Sequence, residues 1–71
     1  MNNDLYNEFK VKQAYKHTIA EIQHLEKQIQ EYKDKNDLDT VSFLEPQLEI
    51  AISLKNYLEE QAEKENINLN I

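Results

Sequence analysis

Apolar side chains recur along this chain in two stretches, each alternating four- and three-residue steps, with a polar break between them. In the first, Val11, Tyr15, Thr18, Ile22, Leu25, Ile29 and Tyr32 fall on one face of a helix, as a turn of about 3.6 residues requires. Leu5 and Phe9 extend that face with a small shift of phase, and Ile19 widens it. The second stretch is apolar on two faces. Val41, Leu44, Leu48, Ala51, Leu58 and Ala62 make one seam, while Phe43, Ile50 and Tyr57, with Leu54 beside them, make another. The pattern predicts helix one over about residues 4–34, a turn over about 35–39 and helix two over about 40–65, in a single domain spanning 1–71.

Local signals agree with those limits. Asn3 or Asp4 can cap the first helix, and Glu8 lies near the positive end of its dipole. Lys33 and Lys35 stand at the opposite end, and Asn36 is the residue there that readily adopts a left-handed conformation. Asp37 or Asp39 can cap the second helix, while Ser42-Phe43-Leu44-Glu45 also has capping-box spacing. Pro46 has two consequences. A helix starting near Thr40 would lose the bond to the Ser42 carbonyl and bend, whereas a start at Ser42 puts Pro46 at the end of the first turn. The tail 66–71, with Ile67, Leu69 and Ile71 alternating with asparagines, has a strand period but is too short to stand alone, so it is expected to be flexible.

The two seams also fit each other. Facing residues of an antiparallel pair have numbers with a constant sum, and that sum is 73 for Tyr32 with Val41, Ile29 with Leu44, Leu25 with Leu48 and Ile22 with Ala51. Tyr15 with Leu58 and Val11 with Ala62 obey the same rule. Thr18 opposite Lys55 is a polar layer, which Ile19 and Leu54 can shield and which can fix the register. The expected fold is all-α: an antiparallel two-helix hairpin, coiled-coil-like. One shared seam is a small core for a chain of 71 residues. Dimerisation into a four-helix bundle would bury the second stripe.

Composition narrows the function. The chain has no cysteine and no glycine, and one proline, which removes thiolate chemistry and Gly-rich phosphate loops. It has no apolar run of about 18 residues to cross a membrane, and Met1-Asn2-Asn3-Asp4 lacks the features of a signal peptide. A soluble, cytoplasmic chain is expected. The net charge of −6 belongs wholly to residues 36–71, because residues 1–35 carry six acids and six lysines. Arginine is absent, so direct nucleic-acid binding is not expected.

Several constellations remain. His17, Glu21 and His24 share a helix face at spacing that suits zinc, but no fourth ligand or closed pocket accompanies them. Neither metal nor cofactor is expected. Lys10, Lys12, Lys16 and His17 form a basic patch that Glu59, Glu60, Glu63 and Glu65 would neutralise in the register above. Glu45, Glu49, Glu59, Glu60 and Glu63 make an acidic surface that could imitate a phosphate backbone. The tail could add a strand to a partner's sheet edge. Ser42 and Ser53 have no histidine near them in the hairpin, and a hairpin offers no concave pocket, so no catalytic residue is assigned and no enzyme activity is expected.

Ser42-Phe43-Leu44-Glu45-Pro46 is the stretch nearest to the Ser-Gln-x-x-x-Asp signature on the second helix of small bacterial aspartyl-phosphate phosphatases, and it has neither the glutamine nor the aspartate. The chain resembles those hairpins in architecture only, and no residue is carried over.

The strongest candidate is the stripe Phe43, Ile50, Leu54 and Tyr57, for which three fates are open. Pro46 could bend the helix so that the stripe joins the chain's own core, a second copy could cover it, or a different protein could dock on it. The expectation is a small non-enzymatic protein-interaction module that regulates or inhibits a larger partner by helix-face docking. Two alternatives are an acidic inhibitor that mimics nucleic acid to block a nucleic-acid-binding enzyme, and a structural assembly subunit.

Overall fold

The computed structural model describes residues 2–69 and is an antiparallel helical hairpin, with α1 over Asn2–Asp34 and α2 over Leu38–Lys64. Met1, Asn70 and Ile71 lie outside the described residues, and so does the part of the expected tail that they include. Its longest dimension of 52 Å is that of α1 itself, since 33 helical residues rise about 50 Å. A globular chain of this length would have a radius of gyration of about 11 Å; the hairpin reaches 15.3 Å. The core is therefore one layer thick.

That layer is the predicted seam. Ile22, Leu25 and Ile29 of α1 and Val41, Leu44 and Ala51 of α2 form one buried cluster, with Tyr32 and Leu48 packed against it. Leu58 and Ala62 continue the buried line towards the open end. Each large aliphatic side chain so buried contributes about 1.5–3 kcal/mol. Both helices are built from residues that tolerate this state, with no glycine to raise the entropic cost of ordering.

The polar layer is satisfied locally. Thr18 is only 3% exposed, and its hydroxyl donates to the Ala14 carbonyl at 2.8 Å. Lys55 lies half-buried on the seam with its ammonium 3.1 Å from Glu59 Oε2, so its stem covers apolar surface while its charge stays wet. Among the described residues no buried side-chain polar atom lacks a hydrogen bond.

The turn is a Schellman closure. Asn36 is left-handed at φ 59°. Its N–H reaches the Lys33 carbonyl, and the N–H of Asp37 reaches that of Tyr32, each at 2.9 Å. Asp37 then caps α2: Oδ1 accepts from the Thr40 backbone N–H at 3.2 Å and Oδ2 from the Thr40 hydroxyl at 2.8 Å. The cap lies far enough upstream to start α2 at Leu38, two residues before the expected position, and Ser42 falls inside the helix. Pro46 is consequently interior, yet α2 continues through it. Pro46 and Ser42 are both exposed, so water can reach the carbonyl that the proline leaves without its helical partner.

A second Schellman closure ends α2. Asn66 is left-handed at φ 56°, and the N–H of Ile67 reaches the Ala62 carbonyl at 2.8 Å. The chain thereby reverses onto α1, where half-buried Ile67 borders a hollow with Leu5 and Glu8, and half-buried Leu69 borders another with Tyr15, Ile19 and Ala20.

Leu5 and Phe9 depart from expectation. They are 68% and 59% exposed rather than part of the buried face. In the sum-73 register the last residue of α2, Lys64, stands opposite Phe9, so α1 overhangs its partner helix, and the return at Glu65–Ile67 borders its first turns.

Candidate functional site

The stripe on the far side of α2 stays outside the core. Phe43 is 72% exposed, Ile50 70%, Tyr57 55% and Leu54 46%. Pro46 therefore does not turn this stripe inward. Helical geometry sets Leu54 apart from the other three, while Tyr57 is partly covered by the hollow it shares with α1. At about 100° per residue, Phe43, Ile50 and Tyr57 lie within about 20° of a common line, whereas the seam against α1 is centred about 130° away. Leu54 leans towards the seam and is the most covered of the four.

The same projection locates the acids. Glu45, Glu49, Glu60 and Glu63 lie about 80–140° from the stripe on its side away from Leu54, and all four are exposed. Passing round α2, the surfaces are thus the buried seam, the apolar stripe and an acidic flank. Glu59 does not belong with the other acids. It is half-buried against α1, where Oε2 accepts from the Tyr15 hydroxyl at 2.8 Å and sits 3.1 Å from Lys55 Nζ.

This cross-helix bond shifts both partners. Glu59 is held below its ordinary value of 4.5, first by the Tyr15 hydrogen bond and then by that of Lys55. Tyr15 is raised above 10.0, first by its bond to Glu59 and next by burial. Charge and hydrogen bonding both favour the neutral phenol donating to an ionised carboxylate. Nothing in the sequence pattern singles out this contact, because Tyr15 reads as an ordinary seam residue.

The basic patch is arranged differently from expectation. Lys12 pairs with Glu8 on its own helix at 3.4 Å, and Lys10 Nζ lies 5.1 Å from the centre of the Tyr6 ring. The ion pairs found among the described residues, Lys12–Glu8 and Lys55–Glu59, both lie within one helix. Among the described residues no ion pair crosses the hairpin to Glu60, Glu63 or Glu65, all three exposed, although Glu65 borders the same hollow as Lys10.

The remaining constellations are surface features. His17, Glu21 and His24 are exposed along α1, and among the described residues no group of three His, Cys, Asp or Glu side chains could hold a metal ion. Tyr57 stands at the rim of an open hollow of about 460 Å³ that it shares with Asn7, Lys10, Val11 and Ala14 of α1. No helix among the described residues is long and apolar enough to cross a membrane. Leu5, Tyr6 and Phe9 are further exposed apolar residues at the overhang, with Lys10 over the Tyr6 ring. Their exposure depends on where the opposite helix stops, which no local pattern announces. Comparison with protein-family models, curated proteins and solved structures finds no match to this chain.

Proposed function

We propose that this chain is a small, non-enzymatic protein-interaction module that regulates or inhibits a larger polypeptide in the cytoplasm. Docking uses the outer face of α2, with Phe43, Ile50, Leu54 and Tyr57 as contact residues. Glu45, Glu49, Glu60 and Glu63 on its flank steer association and set its specificity. The carrying observation is the exposure of Phe43 and Ile50, 72% and 70%, on a continuous helix that already buries a separate seam. Large apolar side chains aligned on one rigid face are what an interface core requires, and aromatic anchors near its centre supply most of its energy. Self-association into a four-helix bundle would use the same face.

The test is photo-crosslinking in the native cell with benzoylphenylalanine placed at Tyr57, at Ser53 and, as a control, at Gln30 on the exposed surface of α1. Adducts with a polypeptide at positions 53 and 57 but not 30 support the reading. Equal labelling at all three positions, or none at 53 and 57, refutes it.

A further inference from the structure

The stripe has a property that docking alone does not demand: it is palindromic. About Ile50 as centre, residues whose numbers sum to 100 match in kind. Phe43 is paired with Tyr57, Pro46 with Leu54, and Ile50 with itself. Gln47 and Ser53, the polar members of the same sector, are paired by the same rule and carry no charge. Resting on the docking reading above, we propose that in the absence of the larger partner this face is occupied by a second copy of the chain, its α2 antiparallel and in register about Ile50.

A two-fold interface brings one patch against itself, so it needs this symmetry of size and polarity, whereas a patch meeting a different protein does not. The end charges agree. Asp39 lies beyond Phe43 on the stripe and Lys64 beyond Tyr57. Antiparallel pairing puts Asp39 within one turn of the second copy's Lys64, and both side chains lean towards their own helix N-termini, hence towards each other. Parallel pairing would instead set like charges and parallel dipoles side by side.

Area argues for a weak, reversible pair. The four apolar residues, at 46–72% exposure, offer roughly 400–500 Å² per copy on typical side-chain areas. That falls short of the ~800 Å² per partner of an ordinary specific interface, to which exposed Pro46, Gln47 and Ser53 at the patch's edges add in part. Net repulsion between two chains of charge −6 opposes pairing at long range, while the patch itself holds no charge. Added salt should therefore strengthen the dimer.

The chain has no cysteine, so single-cysteine variants report the register cleanly. Sedimentation at about 0.15 M and about 0.5 M salt, where screening differs, should show molar mass rising from one chain to two as concentration increases to about 1 mM. The larger association constant belongs to the higher salt, and Ile50→Asp should weaken association by about tenfold or more. Under mild oxidation a mixture of Phe43→Cys and Tyr57→Cys should give the 43–57 cross-link in preference to 43–43 and 57–57. Circular dichroism should show unchanged helicity in every variant, since these positions lie outside the seam. A 43–43 preference overturns the antiparallel register. A chain that stays monomeric at 1 mM, as an order-of-magnitude ceiling for weak pairs, overturns the proposal. If it does so while positions 53 and 57 still cross-link to another polypeptide in cells, the docking reading survives and the second copy is excluded.

Discussion

The Tyr15 hydroxyl donates to Glu59 Oε2 at 2.8 Å, joining residues 44 positions apart. It ties the two helices together beside Thr18, where the apolar seam gives way to a polar layer. The bond has a pH window that follows from its two shifted groups. Glu59 is lowered from 4.5, so its contribution is present above that value and is lost as pH falls through its folded value. Tyr15 is raised from 10.0, so its contribution is present below that value and is lost as pH rises through its folded value. Melting curves of wild type and Tyr15→Phe between about pH 3 and about pH 11 should differ by a few degrees on the plateau and converge at both ends. A pH-independent difference would show that the lost hydroxyl acts through packing instead.

Lys55→Leu should raise thermal stability. Thr18 already satisfies its hydroxyl on its own helix, so it requires nothing from Lys55, and Glu59 keeps Tyr15 when the ammonium is removed. The exposed ion pair that is lost is worth about 0–1 kcal/mol, while an additional leucine on the seam contributes about 1.5–3 kcal/mol. The expected gain is about 1 kcal/mol, near 4–8 °C in Tm for a domain of this size. A substantial fall in Tm would contradict the seam placement of Lys55.

Asn36 should be replaceable by glycine but not by alanine. Its φ of 59° costs a residue with a Cβ roughly 1–2 kcal/mol, which asparagine tolerates through local hydrogen bonding and glycine avoids. Urea unfolding should give Asn36→Ala a loss of about 1 kcal/mol and Asn36→Gly a change near zero. Equal losses for both would point to the amide side chain rather than the backbone. Asn66, at φ 56°, should follow the same order with smaller amplitude, because it closes an end rather than the loop that joins the helices.

Salt separates docking from phosphate mimicry. Binding of the larger partner through Phe43, Ile50, Leu54 and Tyr57 should weaken only modestly as ionic strength rises, through loss of steering by the acidic flank, and Ile50→Asp should remove it. An acidic mimic using Glu45, Glu49, Glu60 and Glu63 would weaken steeply over the same range, since exposed charges are screened over about 10 Å at 0.1 M. Glutamine at those four positions would then be the damaging change. A structural assembly subunit would instead grow beyond two chains in light scattering, which a closed two-fold face does not permit.

Much of the hairpin was legible because its signals are periodic. Ile22, Leu25 and Ile29 and their partners Leu44, Leu48 and Ala51 repeat often enough for spacing alone to define both helices and the buried side of each. The exposure of Phe43, Ile50 and Tyr57 was legible in the same way, as a second period on a helix whose first was already matched. Single events were less readable. Asp37, Asp39 and Ser42 are equivalent caps on paper, and only the geometry of the turn selects Asp37. The reversal at Asn66 and the return of Leu69 towards Ile19 rest on one left-handed residue.

By itself, the sequence determined that this chain forms two helices, which faces they share and that an apolar stripe on α2 is left over, because these follow from a period repeated over many residues. Tertiary structure alone decided that Leu5 and Phe9 overhang into solvent, that Glu59 leaves the acidic flank to serve Tyr15, and that Pro46 leaves α2 unbroken. Each of these depends on where one helix ends or which atoms meet across the seam. Such relationships exist only once distant residues have been brought together.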